Sequence, residues 1–389
     1  MHRILSVCTN FPTTNRPTNG LFVGRRLSEL SRLAELHMFV PQAYFPVLRP
    51  RPPDSALKGT NFPVKIQRMF YLPGIAKHWD GRWLERVVSD WIGQMPNLDR
   101  NSTIIDAHFG YPEGVGCFRV AKKLGMPLFI TVRGVETELM AIPAIKSQML
   151  EAYRYAAGVI SVSDSLKEML VANGVDGEKI RVISNGVDSD VFCPGNKTAS
   201  RAELGLGSSA KTIVSLGNVQ HRKGYDLLIE SIASYRDTPE FRCVILGGTN
   251  ESATMASLKT RIQELGLQKQ IQFAGQSTPD VVVRWLRAAD LFVLPTRREG
   301  CCNAVLEALS TGLPVITTPA GDNTKFVLDG QNGFVVPHED PQALQLAIQR
   351  SWDYPWDANK ISESVRRYTW KGAAEQVIEY FQERLGIQA

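Results

Sequence analysis

Two carboxylates, Glu299 and Glu307, stand in the stretch "REGCCNAVLEALSTGLP" (298–314), and two cations, Arg222 and Lys223, stand in "SLGNVQHRKGYDLL" (215–228). The acids can accept hydrogen bonds from hydroxyl groups, and the fixed cations can neutralise phosphate. Spacing alone does not decide between these roles and plainer ones. A loop carboxylate, a solvated helix glutamate and a basic surface turn would fit the same letters. The surrounding pattern carries more weight.

"LFVLPT" (291–296) has the pattern of a buried strand, and the next helix begins near Asn303 and is stopped by Gly312 and Pro314. Glu299 is therefore expected in the loop at the carboxyl end of a strand and Glu307 in the helix behind it. Amides of Gly300, Cys301, Cys302 and Asn303 at a helix N-terminus form a seat for phosphate. Glu307 could then accept two hydroxyl hydrogen bonds from a ribose, with Glu299 touching a sugar beyond the phosphate. Gly217 turns the end of another strand, "TIVSLG" (212–217), with Arg222 and Lys223 just before a second helix N-terminus. Gly217 lacks the G-x-G-x-x-G spacing of a dinucleotide site. Gly247, in "LGG" (246–248), offers a third strand-end loop where backbone could approach a ligand, or a plain turn.

The elements that must position these residues alternate. Strands are expected at 212–217, 241–248, 271–275, 291–296 and 314–319, with helices at 225–235, 255–266, 279–290 and 304–312 between them. The first half repeats the rhythm, with strands at 3–8, 36–40, 103–106, 127–132, 158–162 and 180–183. Its helices fall near 22–33, 114–124, 144–156 and 165–172. "PQAYFPVLRPRPPDS" (41–55) reads as a long surface loop, and the turn-rich segment 185–200 separates the halves. The fold class is α/β: two Rossmann-like, doubly wound domains, 1–190 and 191–369, facing a deep cleft. The amphipathic segment 370–385 reads as a packing helix.

Composition sets outer limits. The chain has 389 residues, 43% hydrophobic and 21% charged, as expected of a soluble globular protein of two or three domains. It contains no apolar run of about 18 residues and no signal-like h-region, so a cytoplasmic location is expected. Six cysteines without metal-ligand spacing are expected to be reduced thiols. Residues 1–100 hold 14 Lys and Arg against 7 Asp and Glu, a net +7, while residues 191–389 hold 21 of each. Such an N-terminal field is a solvated basic surface or one that attracts anionic partners, including an anionic membrane.

Several motifs in order resemble one family. The segment from Glu299 to Glu307, "GNVQHRKGYDLL", "VISVSDSLKEMLVANGVDGEKIRVISNGVDSDVF" (159–192) and "TGLPVITTPAGDNTKFVLDGQNGFVVP" (311–337) are similar to the GT-B glycosyltransferases of family 4. These are retaining enzymes that use nucleotide-diphosphate sugars. "FPTTNRPTNGLFV" and "DAHFGYPEGVGCFRVAKKLGMPLFITVRG" further resemble members that assemble bacterial surface polysaccharides. The resemblance implies that Lys223 holds the donor diphosphate, the amides of Gly300 to Asn303 its distal phosphate, Glu307 the ribose and Glu299 the transferred sugar. It also places Gln276 in the base-contacting loop and Gly20 at the mouth of the first strand-to-helix loop, where donor and acceptor approach the backbone. The segment 370–389 would pack back on the first domain.

Departures from the pattern are as informative. Asn218 stands where the family commonly has arginine, leaving phosphate charge to Lys223 with Arg222. Arg133-Gly134 replaces a common histidine-glycine, and Glu136 a usual aspartate. Lys325 stands where an acid is frequent. A guanidinium cannot be a general base, but Arg133 can bind phosphate or sugar hydroxyls, and it joins Glu299 and Lys223 as a candidate catalytic residue. His108 and Glu113, in "DAHFGYPEG", could line the acceptor side. The expected activity is retaining transfer from a nucleotide sugar, UDP favoured over GDP, to a glycan or lipid-linked glycan, with no cofactor, metal or nucleic acid. A silent nucleotide-sugar-binding subunit, or an epimerase or phosphorylase on the same architecture, are the alternatives.

Overall fold

The computed structural model describes residues 3–45, 55–56, 59–72, 76–249 and 251–387. They form two compact units, one of Met1–Asn185 with Trp370–Ala389 and one of Gly186–Thr369. Each has its own hydrophobic core.

Unit 1 is built on a seven-stranded sheet whose paired strands all run parallel. Its strands are β1 (Arg3–Val7), β2 (Glu35–Tyr44), β3 (Val64–Phe70), β4 (Thr103–His108), β5 (Leu128–Val132), β6 (Gly158–Ser161) and β7 (Ile180–Val182). The order across the sheet is β3-β2-β1-β4-β5-β6-β7. Strands covered by helices on both faces read as continuous apolar runs, and β4 and β5 are buried at every residue. The helix Trp370–Leu385 packs beside Leu21–Leu30 in this unit, with Phe381 and Tyr380 against Phe129.

Two expectations change here. Pro41–Tyr44 are not loop: they continue β2 alongside β3. Beyond Phe39 that strand has no register with β1, so the missing N–H of Pro41 removes no ladder bond on that side. Residues 46–54 of the same Pro-rich stretch lie outside the described residues. The strand expected at 103–106 runs two residues further, so that His108 is the last residue of β4 rather than part of the loop behind it.

Unit 2 carries a six-stranded sheet in the order β10-β9-β8-β11-β12-β13. The strands are β8 (Lys211–Leu216), β9 (Phe241–Leu246), β10 (Ile271–Gly275), β11 (Leu291–Leu294), β12 (Val315–Thr317) and β13 (Gly333–Val335). In each sheet the chain winds outward from two adjacent central strands, β1 and β4 in unit 1, β8 and β11 in unit 2. The carboxyl ends of such a pair diverge into loops that turn to opposite faces, leaving a crevice where doubly wound sheets receive ligands.

Candidate functional site

The crevice of unit 2 gathers the residues singled out from sequence. After β8 comes Gly217, then a 3-10 turn, His221–Lys223, and the helix Tyr225–Ser231. After β11 comes the loop 295–302 and the helix Asn303–Ser310. Lys223 Nζ donates to Glu299 Oε1 at 2.5 Å, so the two loops are joined by an ion pair. Both side chains are more than nine-tenths buried. Arg222 Nη1 lies 3.3 Å from Glu299 Oε2, and the Thr296 hydroxyl donates to Oε1 at 3.0 Å. Burial alone would raise the Glu299 carboxyl; Lys223 and Arg222 outweigh it and hold the carboxyl below the ordinary range. Glu299 is therefore an anion, with a cation at each oxygen.

Packing of the three strand-end loops explains the glycines. Gly217 donates its N–H to Leu246 O at 2.8 Å, Val219 to Gly248 O at 2.8 Å, and Gly247 to Gly275 O at 2.8 Å. A Cβ on Gly247 would lie 2.1 Å from Gly217 O, and its φ of 152° is one that side chains rarely adopt. Gly247 thus serves loop-on-loop packing, the plainer of the two readings its sequence allowed. A Cβ on Gly217 would lie 3.2 Å from Lys223 Nζ, placing that backbone beside the ammonium. Asn218 and Gln276 both come close to Gly248, bringing the ends of β8, β9 and β10 to one spot.

The amide seat is smaller than expected. The Asn303 N–H already donates to Cys301 O at 3.1 Å and is taken out of the seat. Cys302 is the helix cap and is buried, and its thiol is pushed up to about 12 by burial and then by Glu299, so it is inert. Glu307 is half-buried on the helix one turn further in.

Sequence reading missed the clamp behind this site. Arg297 forks onto Asp226 at 2.8 and 2.7 Å and onto Glu339 at 2.6 and 3.0 Å. It also donates to His221 O at 2.7 Å, while its own N–H donates to Arg222 O at 2.8 Å. The loop of Glu299 and the turn of Lys223 are thereby fixed as one piece.

The corresponding crevice of unit 1 holds a second cluster. Arg133, just beyond β5, donates to His108 Nδ1 at 3.1 Å and to Asn185 Oδ1 at 3.2 Å, and its guanidinium sits over Phe22 at 5.1 Å. His108 Nε2 faces Asp106 Oδ2 at 3.1 Å, and Ser6 donates to the same oxygen at 2.8 Å. Because Nδ1 accepts from an arginine, Nε2 carries the hydrogen; burial lowers this imidazole to about 4, despite Asp106, and it is neutral. Glu113 accepts from the Thr9 N–H at 2.8 Å and the Thr9 hydroxyl at 2.5 Å, joining the loops after β1 and β4.

Two acceptor-side expectations are corrected by this geometry. His108 and Glu113 are 0% and 1% exposed, so neither lines a surface; His108 is bonded to Arg133 and Glu113 to Thr9. Gly20 is not an open approach to the backbone, because a Cβ there would lie 2.0 Å from Asn10 O. Glu136 caps the N–H groups of Gly110, Arg133 and Gly134 and is wholly structural.

Among the described residues, no group of three or more His, Cys, Asp or Glu side chains is placed to hold a metal ion, and no helix is long and apolar enough to cross a membrane. The six cysteines are free.

Comparison with known proteins gives this geometry its context. The family model described as glycosyl transferases group 1 matches residues 196–368, and that described as glycosyltransferase family 4 matches residues 29–191. The putative teichuronic acid biosynthesis glycosyltransferase TuaC of Bacillus subtilis is 28% identical over 90% of this chain and 88% of its own length. The D-inositol 3-phosphate glycosyltransferase of Acidothermus cellulolyticus is 27% identical over 72% of this chain and 67% of its own length. That of Corynebacterium urealyticum is 31% identical, and the chain spans only 56% of its length. Among solved structures, sucrose-phosphate synthase from Thermosynechococcus elongatus superposes with a TM-score of 0.81 at 18% identity, covering 99% of this chain and 100% of that one. Anabaena HepE in complex with UDP-glucose superposes at 0.78 and 18%, covering 98% and 100%. The likeness in structure shows the fold alone, and the two family models together run through both units: the chain is a GT-B glycosyltransferase and belongs to family 4.

Proposed function

We propose that the chain moves a sugar from a nucleotide-diphosphate donor, UDP-linked in preference to GDP-linked, onto a glycan or lipid-linked glycan, with retention at the anomeric carbon. The observation that carries this reading is the buried Lys223–Glu299 pair at the β8/β11 crevice, with Arg222 on the second carboxylate oxygen. Lys223 uses one of its three N–H donors on Glu299, and two remain for phosphate oxygens. Charge builds on the diphosphate as it leaves, so Lys223, Arg222 and the amides before Asn303 stabilise the transition state more than the ground state. In this reading the leaving oxygen takes the acceptor's proton, Glu299 orients the sugar and Glu307 holds the ribose. No step is assigned to a metal, because the leaving charge is met by these groups. Support for UDP comes from HepE, solved with UDP-glucose.

Arg133 is proposed to contact substrate at the unit 1 crevice. The basic N-terminal hundred residues support peripheral attachment to an anionic membrane from the cytoplasmic side. Sedimentation with anionic vesicles checks that part: binding that is insensitive to salt and lipid charge would remove it. The activity itself is tested by incubating the chain with UDP-sugars and candidate acceptors, following UDP release and reading the product's anomeric configuration by NMR. A retained configuration in a glycosylated product is expected; an inverted one would end the mechanism.

A further inference from the structure

We infer that Arg133 is an anion receptor, taking a carboxylate or phosphate carried by a sugar substrate; that the carrier is a sugar rests on the reading above. Arg133 is 9% exposed, and its side-chain hydrogen bonds go to neutral acceptors, Asn185 Oδ1 and His108 Nδ1. Every carboxylate in the neighbourhood is turned elsewhere. Asp106 is held by Ser6 and His108 and has Arg26 3.9 Å away. Glu136 takes three backbone N–H groups, and Glu113 takes two donors from Thr9. Arg133 Nε is buried without a partner.

A buried guanidinium with no carboxylate in contact is costly; Asp106 and Glu136 act on it only from a distance, and hydrogen bonds to a neutral ring and amide do not replace a contact. The second buried arginine, Arg26, lies closer to Asp106 and repels Arg133, so the nearest acid is shared between two cations. The receptor is also held rigid. Asp106 fixes the His108 tautomer, His108 and Asn185 fix the two ends of the fork, and Phe22 lies against its face. A rigid planar fork lacking an anion matches the oxygen pair of a carboxylate or phosphate. A hydroxyl would leave the charge uncompensated.

The test is a ligand-observed NMR titration of the full chain, without nucleotide, using glucuronate, glucose 6-phosphate and glucose. Wild type is expected to bind at least one anionic sugar about tenfold more tightly than glucose, and which one distinguishes carboxylate from phosphate. Arg133→Gln should abolish that preference and Arg133→Lys keep part of it, with melting curves showing that both are folded. Equal binding of all three sugars by wild type overturns the inference whether or not the variants fold, as does a preference that survives Arg133→Gln. A separate UDP titration keeps the two readings apart. A chain that prefers anionic sugars but ignores UDP keeps this inference and loses the donor reading; one that binds UDP with no anion preference does the reverse.

Discussion

Lys223 Nζ and Glu299 Oε1 stand 2.5 Å apart across 76 residues of sequence, both buried, at the point where the sheet of unit 2 changes winding direction. Removing one member leaves a buried charge without its partner, which costs about 3–5 kcal/mol. Lys223→Ala and Glu299→Ala should therefore each lower stability in urea by that order, while Lys223→Met with Glu299→Leu should cost much less than the sum of the two. Turnover should fall about 10²–10³-fold in Lys223→Ala, the scale of losing one transition-state donor. Additive single and double effects on stability would show that the pair is not coupled.

Arg297 holds both sides of that site through its fork to Asp226 and its bond to His221 O. Lysine keeps the charge but not the planar fork. Arg297→Lys should lower kcat/KM about tenfold, roughly 1.4 kcal/mol of transition-state stabilisation, with a smaller change in melting temperature. Steady-state kinetics at saturating acceptor checks this; an unchanged kcat/KM would mean that the loops keep their geometry without the clamp.

Gly247→Ala should be more harmful than a glycine-to-alanine change on an open loop. The added Cβ would lie 2.1 Å from Gly217 O, at a φ of 152°. We expect a loss of about 1–3 kcal/mol or more from the strained backbone and a weakened nucleotide response as the β8 and β9 loops part. Gly205, with nothing within 4 Å of a Cβ, is the control for left-handed strain alone. Equal effects at the two glycines would contradict loop-on-loop packing.

Burial lifts the Glu113 carboxyl to about 7, against the lowering effect of Thr9. The unfolded chain would release that proton near the ordinary value of about 4.3. Between those values the folded chain retains a proton the unfolded chain has lost, so this group's contribution to stability declines as pH rises from about 4.3 to 7. Glu113→Gln removes the dependence, and the variant should gain on wild type in melting temperature from pH 5 to pH 8. His108, lowered to about 4, acts in the opposite sense below pH 6.5 but is present in both proteins and cancels in the difference. Parallel curves would remove the buried-proton account of Glu113.

Much of the site was legible because its residues sit at strand ends that announce themselves. The apolar runs of β8 and β11 fixed where Gly217 and Glu299 must fall, and their order brought Lys223 to the same crevice. β3 and the helix Asp80–Gly93 escaped notice for opposite reasons. β3 is an edge strand with mostly half-exposed and exposed residues and no apolar run. The helix carries a regular apolar stripe, Leu84, Val87, Val88, Trp91 and Ile92, with Arg82, Glu85 and Arg86 off that face, so its signal was present and overlooked. The Arg297 clamp was illegible because Asp226 and Glu339 are far from it in sequence, and no local pattern encodes a meeting of that kind. The burial of His108 was hidden similarly, since a strand-end histidine reads the same whether it faces solvent or an arginine.

The most direct test of the donor site is calorimetric titration of wild type, Lys223→Ala and Glu307→Ala with UDP, GDP, ADP and NAD. One nucleoside diphosphate, UDP in our reading, should bind wild type; Lys223→Ala should lose most of that affinity through the phosphates and Glu307→Ala through the ribose. Binding of NAD alone, or nucleoside diphosphate binding that both substitutions leave untouched, would contradict the assignment of the β8/β11 crevice as the donor site.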